Sequence, residues 1–290
     1  MGIARRLVTV TGDVEPFQYT IQVNAGQVYV LPAKAVGGIQ PNIIVGWGDV
    51  SSDSTITSET DGARFHTYAS SGTYTISIIG SLPGFRVDND AYRSLYRTVV
   101  QWGDVGIRSI NFYGCTNLTS IPNGAAGLGR VTLFNNTFRS TGLTTIPADI
   151  FQYSTLATEF VDTFSFTTIT SVPTGLFDNC PQAQIFNSTF NACTSLVSVP
   201  TELYRYNTQV INFSSVHRNN RALTNIPTFQ YNTSVATFAN MFNMSSTTNG
   251  SSSWGSVEEL WNRVPEPLGI GAFRNCTGAT NYASIPLNWR

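Results

Sequence analysis

The sequence predicts a mainly β protein in which an N-terminal β-sandwich precedes a C-terminal solenoid of stacked repeats. Short segments that alternate apolar and polar residues fill most of the first hundred residues, which is the pattern of half-buried strands. A motif that ends in proline then recurs at intervals of 25 to 27 residues. With 290 residues the chain has room for both parts, since one domain takes roughly 100–200 residues.

The strand-like segments of the N-terminal part are short and separated by Gly, Asp and Ser turns. The segments 17–23 and 27–31 flank Asn24-Ala-Gly26, which predicts a hairpin with a three-residue connection. About six short strands in under 90 residues are typical of a β-sandwich. The other segments with this pattern are 42–47, 63–68 and 73–79.

Three motifs of this part are similar to those of a known family. Trp47-Gly-Asp49, His66-Thr-Tyr68 and Gly72-Thr-Tyr-Thr-Ile-Ser-Ile78 resemble PKD-type, immunoglobulin-like domains, which commonly carry Trp-Gly-Asp-Gly and His-x-Tyr. The match covers roughly residues 15–80 and departs from the family at Val50, where a glycine is usual. The resemblance implies an immunoglobulin-like sandwich that serves as a spacer or docking module. In this setting we expect His66 to be a packing or hydrogen-bonding residue.

The C-terminal part is organised by a repeated pentapeptide, of which Leu118-Thr-Ser-Ile-Pro122 is the first copy. Four further copies end at Pro147, Pro173, Pro200 and Pro227, and two weaker ones at Pro265 and Pro286. One such unit offers a short strand and an apolar turn, which is too little to form a core alone, so neighbouring units must stack. The period therefore predicts a solenoid of about seven coils over residues 86–290.

Aromatic residues recur in step with the prolines. We expect one internal stack from the phenylalanines that end short β-prone segments, with further aromatic residues at Phe138, Phe164, Phe190 and Phe242. His217 stands where other repeats have phenylalanine, which predicts a partly buried ring. An apolar pair follows the proline, as in Leu203-Tyr204. The phenylalanines of the expected stack are Phe112, Phe134, Phe160, Phe186, Phe213, Phe238 and Phe273.

The segments Phe112-Tyr-Gly-Cys115-Thr-Asn-Leu118-Thr-Ser-Ile-Pro122 and Phe190-Asn-Ala-Cys193-Thr-Ser-Leu196-Val-Ser-Val-Pro200 resemble the BspA-like leucine-rich repeats. The resemblance covers about residues 98–290. It implies a leucine-rich-repeat solenoid, and members of the family are mostly adhesion and surface-recognition proteins. The chain departs from the family in lacking an export signal.

Two further features concern the limits of the solenoid. Trp-Gly-Asp-Val occurs at 47–50 and again at 102–105, and we expect the second copy to cap the solenoid. A boundary near residue 85 then divides the chain into domains 1–85 and 86–290. The interval between Pro227 and Pro265 is longer, and Ser256-Val-Glu-Glu259 within it predicts a capping box for a short helix through Arg263.

Composition excludes several classes of function. There are 16 basic and 17 acidic residues and no basic run, so we expect no nucleic-acid partner. No apolar stretch reaches 18 residues, so we expect no membrane insertion. The four cysteines lack paired spacing, which favours free, buried thiols over a zinc site. His66 and His217 fall in different modules and no pair of acidic residues stands out. We therefore expect a non-enzymatic protein without catalytic, cofactor-binding or metal-binding residues.

These observations favour a structural protein of a bacteriophage virion, assembled in the host cytoplasm. It would serve as capsid decoration or as a tail accessory or adsorption protein, docking through one domain and displaying the other. The alternative is a bacterial cell-surface adhesin of the BspA-like type. The expected partners are other structural proteins of the virion or cell surface, and a host-surface glycan. We expect the glycan to bind at Tyr204, Arg205 and Tyr206.

Overall fold

The computed structural model of the chain describes residues 15–88 and 90–290. Residues 1–14, with which the predicted first domain begins, lie outside the described residues, as does the segment in which an export signal was sought. The described chain is mainly β with antiparallel sheets, as the alternating pattern predicts. The strands are β1 Phe17–Val23, β2 Val28–Val30, β3 Ala33–Lys34, β4 Asn42–Gly46, β5 Ser54–Ile56, β6 Phe65–Thr67, β7 Gly72–Ser81, β8 Gly84–Arg86, β9 Tyr96–Gln101 and β10 Ser109–Asn111.

Helical structure in the described residues is limited to short segments. The α-helix α1 spans Asp90–Arg93. No helix in the described part of the chain is long and apolar enough to cross a membrane. Turns of 3-10 helix lie at Gly62–Arg64, Ala126–Leu128, Gly250–Ser253, Leu260–Asn262 and Tyr282–Ser284.

The largest sheet is antiparallel, with strand order β5-β4-β7-β1-β9. Alternate residues of β1, from Phe17 to Val23, are buried, as expected for a strand with one face on a core. Smaller sheets, β2-β6 and β10-β8-β3, accompany it. The hydroxyl of Tyr29 on β2 is 2.8 Å from that of Tyr19 on β1, so these two strands face each other across a shared core.

The hairpin predicted around residues 24–26 is wrong. Both edges of β1 are occupied, one by β7 and the other by β9, whereas β2 pairs with β6. The turn at Asn24 does form, because Gln27 N donates to its carbonyl at 3.1 Å. It carries the chain from one sheet to another instead of joining two paired strands.

Strand β9 belongs to both parts of the molecule. It forms the edge of the largest sheet, and Thr98 within it makes a parallel bridge to Ser120 of the first repeat. Trp102, directly after β9, stacks on Phe17 with ring centres 6.1 Å apart and contacts Phe138 at 6.3 Å. The sheet therefore continues past residue 85, and the domain boundary there stays a prediction. Instead of closing an end, Trp102 connects the two cores.

Successive repeats lie side by side in parallel. Short parallel bridges join equivalent residues of neighbouring repeats, and at each one a main-chain N–H donates to the next repeat, as from Phe134 N to Glu159 O at 2.8 Å. The interval matches the interval between the prolines. The bridges are Leu133 to Glu159, Glu159 to Ile185, Ile185 to Asn212, Asn212 to Thr237 and Thr237 to Leu268.

Three separate series of stacked rings, which we call ladders, fill the repeats, where the sequence predicted one main stack. Ladder A holds Phe134, Phe160, Phe186, Phe213 and Phe238, with ring centres 5.1–5.9 Å apart. Ladder B holds Phe112, Phe138, Phe164, Phe190, His217, Phe242 and Phe273. Ladder C holds Phe151, Phe177, Tyr204 and Phe229.

The expected stack is therefore corrected at its two ends. Phe112 and Phe273 were grouped with the phenylalanines of ladder A, but they stack on Phe138 and Phe242 of ladder B. At the C-terminal end the ladder A position is Gly269, where a side chain would overlap the ring of Trp289. Trp289 thus fills the space that a phenylalanine occupies in the other repeats.

The helix predicted over residues 257–263 is also wrong, since a 3-10 turn forms only at Leu260–Asn262. The hydroxyl of Ser256 lies 2.9 Å from that of Thr280, and Glu259 makes no side-chain cap. Glu258 instead accepts a hydrogen bond from Phe229 N at 2.9 Å and pairs with Arg263 at 3.0 Å. The polar groups expected to cap a helix are used to join this segment to its neighbours.

Candidate surface-binding site

The turn that follows each repeat proline alternates buried and exposed residues. After Pro200, Leu203 and Tyr204 are buried, whereas Arg205 and Tyr206 are exposed. The turn is closed by Arg205 N donating to Glu202 O at 3.0 Å. The structure therefore separates the three residues predicted to bind a glycan and leaves two of them at the surface.

Tyr204 is fully buried, so its assignment to a binding surface is wrong. Its ring is the ladder C member between Phe177, at 6.0 Å, and Phe229, at 5.8 Å. Its hydroxyl lies 3.2 Å from Nε2 of His217. The sequence contained the signal, because Tyr204 occupies the position of Phe151 and Phe177 in the preceding repeats.

Arg205 lies between two tyrosines of neighbouring repeats. Its guanidinium carbon is 5.6 Å from the ring centre of Tyr206 and 5.2 Å from that of Tyr231, within the range of cation–π contacts. Its Nη1 donates to Glu202 at 2.8 Å, and the hydroxyl of Tyr231 donates to the other oxygen of that carboxylate at 3.2 Å. We call Glu202, Arg205, Tyr206 and Tyr231 the Tyr206 surface.

The charges of the Tyr206 surface are arranged as an ion pair with a second carboxyl beside it. The hydrogen bond from Arg205 lowers the pKa of Glu202 and raises the pKa of Arg205. Partial burial raises the pKa of the neighbouring Asp178, an effect that Arg205 only partly offsets. The surface thus presents aromatic faces, a fixed guanidinium and carboxylate oxygens within one small area.

Sequence reasoning missed Tyr231 and Glu202. Tyr231 stands two residues after the ladder C ring of its repeat, as Tyr206 does, and Tyr153 has the same place in an earlier repeat. Tyr153 and Tyr206 are about half exposed, at 49% and 53%. Comparing equivalent positions between repeats would have found this series of tyrosines. Glu202 has no such signal, because its role depends on the turn geometry.

A second group of aromatic and charged residues lies at a different turn of the repeat. The Arg139 guanidinium carbon is 5.4 Å from the ring centre of Tyr113 and 5.3 Å from that of Phe166, and the guanidinium pairs with Asp162 at 3.4 Å. Phe166 is 49% exposed and has a left-handed backbone with φ of 58°. Such a conformation costs a non-glycine residue about 1–2 kcal/mol, so this exposed ring is retained against its backbone preference.

The two histidines have structural environments. His66 stacks on Trp47 with ring centres 4.6 Å apart, and its Nε2 lies 2.8 Å from Oδ2 of Asp49. Its interpretation as a packing and hydrogen-bonding residue is confirmed. His217 is fully buried in ladder B, not partly buried as predicted, and burial lowers its pKa from 6.5 to about 3.

The four cysteines are free and buried, as the sequence predicts. Burial raises the pKa of each thiol, to about 12 for Cys193, which also donates to Phe164 O at 3.1 Å. In residues 15–88 and 90–290 no three His, Cys, Asp or Glu side chains come together as a metal site would require.

The comparisons with known proteins add no relative to this picture. No protein-family model matches the chain. No curated protein matches it either.

Proposed function

We propose that the chain is a non-enzymatic structural protein of a bacteriophage virion, either a capsid decoration or a tail accessory or adsorption protein. One part would dock on the particle, and the other would be displayed for binding to a surface. The observation that carries this proposal is the series of tyrosines at one turn of the repeat, Tyr153, Tyr206 and Tyr231. Stacked repeats hold such side chains at a regular spacing along an extended surface.

The proposed architecture is a PKD-type, immunoglobulin-like sandwich over residues 1–85 and a BspA-like leucine-rich-repeat solenoid over residues 86–290. The sheet pairing around β1 and β7 supports the first assignment. The parallel bridges between repeats and the three ladders support the second. A structure solved by electron microscopy in which successive repeats fail to stack would refute the solenoid.

A host-surface glycan is the proposed ligand of the Tyr206 surface. Tyrosine faces suit the apolar faces of sugar rings, while Arg205 and Glu202 supply a donor and acceptors for their hydroxyls. On a glycan array we expect binding by the full chain, and loss of at least tenfold in Arg205→Ala and Tyr206→Ala. Arg130→Ala, an exposed arginine outside this surface, is the matched control. Equal binding by all the variants would refute the assignment.

Location separates the virion proposal from its alternative, a bacterial cell-surface adhesin. Mass spectrometry of purified phage particles should find the chain in a fixed ratio to the other structural proteins. Finding the chain only in bacterial cell envelopes would overturn the virion proposal and favour the adhesin.

A further inference from the structure

A cavity of about 320 Å³ lies in the N-terminal part of the molecule, away from the repeats. Leu31, Val87 and Tyr96, all buried, contribute to its lining, together with Phe65 and Tyr92. Phe65 is 57% exposed, although it is one of the larger apolar side chains. A concave site of this volume with an apolar lining and a few polar groups is the usual form of a small-molecule site.

The charged residues at this cavity are mostly cationic. Lys34, Arg64 and Arg86 contribute to its lining, together with one carboxylate, Asp88, which gives a net charge of +2 from three positive groups and one negative. Asp88 lies 3.8 Å from the ammonium of Lys34 and 3.6 Å from the guanidinium of Arg86. Both distances are longer than a hydrogen bond, so Asp88 neutralises part of the charge without occupying the donors.

The donors of these cations are largely unused. In the part of the chain that the structure describes, neither the Lys34 ammonium nor the Arg86 guanidinium donates a hydrogen bond. Arg64 donates only long bonds to main-chain carbonyls, at 3.4 Å to Asp61 and 3.5 Å to Leu31. Guanidinium groups bind carboxylates and phosphates through two parallel N–H bonds, and these donors are available for that geometry.

A buried hydroxyl group adds a further donor. The hydroxyls of Tyr19, Tyr29 and Tyr96 form a chain with two hydrogen bonds of 2.8 Å. Three hydroxyl protons share two bonds, so one proton has no acceptor among the described residues. Buried hydroxyls usually have a partner, and Tyr96 both ends this chain and lines the cavity. Burial raises the pKa of all three tyrosines, which keeps the protons in place.

We propose that this cavity binds a small organic anion, in which a carboxylate or phosphate group is attached to a flat apolar body. Lys34, Arg64 and Arg86 would hold the anionic group, and Phe65, Tyr92 and the buried lining would hold the body. The positive net charge disfavours a cation, and the apolar lining disfavours an inorganic ion alone. This site is independent of the proposed surface function, so either assignment can fail while the other stands.

Calorimetric titration of the full chain with four related compounds tests the proposal. The compounds are benzoate, phenyl phosphate, benzyl alcohol and inorganic phosphate. We expect benzoate or phenyl phosphate to bind at least tenfold more tightly than both benzyl alcohol and inorganic phosphate. The tighter of the first two identifies the anionic group. Equal binding of benzyl alcohol would overturn the role of charge, equal binding of inorganic phosphate would overturn the role of the body, and no binding would overturn the site.

Variants place the binding in this cavity. Arg64→Gln and Arg86→Gln should each weaken binding of the anion about tenfold or more, since a hydrogen bond to a charged group contributes about 1.5–3 kcal/mol. Arg108→Gln, an exposed arginine outside the cavity lining, is the control and should leave binding unchanged. Melting temperatures like that of the wild type would show that the variants are folded. An equal loss in Arg108→Gln would place the binding elsewhere and refute the proposal.

Discussion

Replacing His217 with phenylalanine should make the chain more resistant to acid. His217 occupies a ladder B position that phenylalanine occupies on both sides, and its ring is parallel to those of Phe190 and Phe242 at 5.5 Å from each. The ring is fully buried, so a charged imidazolium there would lose its hydration without a carboxylate in contact among the described residues.

The magnitude follows from the pKa of this ring. Burial lowers the pKa of His217 to about 3, from 6.5 in an unperturbed histidine. Between these two values the unfolded chain binds a proton that the folded chain does not, so the free energy of unfolding decreases as the pH falls. Between pH 6 and pH 4 this linkage removes about 2.5 kcal/mol from the wild type and nothing from His217→Phe.

At neutral pH the same substitution should have a cost. The Tyr204 hydroxyl loses its acceptor, Nε2 of His217 at 3.2 Å, and an unsatisfied buried hydroxyl costs about 1–3 kcal/mol. The double variant Tyr204→Phe/His217→Phe removes both partners and should recover most of this loss. Tyr204→Phe alone keeps the imidazole and should keep the pH dependence of the wild type.

Urea unfolding at pH 7, 6, 5 and 4, followed by tryptophan fluorescence, measures these differences. Trp254 contacts Phe242, the next ring of ladder B, at 5.2 Å and so reports on this region. The carboxyl groups common to all the variants cancel when the wild type is subtracted. If the wild type and His217→Phe lose stability in parallel from pH 6 to pH 4, within about 0.5 kcal/mol, the argument from burial is refuted.

Three other predictions concern the core, the thiols and one turn. Phe186→Ala, which removes a buried ladder A ring, should lower the free energy of unfolding by about 3–5 kcal/mol, against less than about 0.5 kcal/mol for the exposed Tyr206→Ala. Equal losses in urea unfolding would contradict the ladder. A thiol reagent should leave all four cysteines, including Cys193, unmodified until the chain unfolds, and rapid labelling of the native protein would count against their burial. Gly103→Ala should destabilise more than Gly26→Ala in thermal melting, because both glycines have positive φ but only a side chain at 103 would meet the main chain of Pro16.

The sequence predicted the architecture of the repeats well because their period is independent of local detail. The interval between prolines is the interval between parallel bridges, so a pattern in one dimension reported the stacking in three. The strand β1 was predictable for a similar reason, since alternate burial is visible as alternate apolar residues. Which strands pair is not visible in this way. The hairpin failed because β7 and β9, both distant in sequence, occupy the edges of β1.

The error at Phe112 and Phe273 has a physical origin in the repeat itself. Each central repeat has two phenylalanines four residues apart, such as Phe134 and Phe138, and each one belongs to a different ladder. At the two ends only one of the pair remains, so the sequence alone does not determine the ladder. The space at the C-terminal end is filled by Trp289, far along the chain, which the period does not describe.

The candidate site was half predictable. Exposure of Arg205 and Tyr206 agrees with their polar tips, whereas Tyr204 was misplaced because three consecutive residues were treated as one face. In a turn, consecutive side chains point in different directions, and the recurrence of an aromatic residue two positions before Tyr206 is the stronger evidence. Equivalence between repeats predicts burial better than proximity in sequence does.

The backbone of the repeats explains the low charge without reference to partners. Each repeat turns through residues with positive φ, which asparagine, aspartate and serine occupy at five equivalent positions: Asn136, Asp162, Ser188, Ser215 and Asn240. Short polar side chains suit this conformation because they hydrogen-bond locally, whereas long charged ones gain nothing there. Ladder rings and buried threonines such as Thr189, whose hydroxyl donates to Phe160 O at 2.8 Å, take further positions. Charge is left mainly to the turn after the proline, so a charged residue such as Arg205 between two exposed tyrosines is better evidence of binding than the composition of the chain.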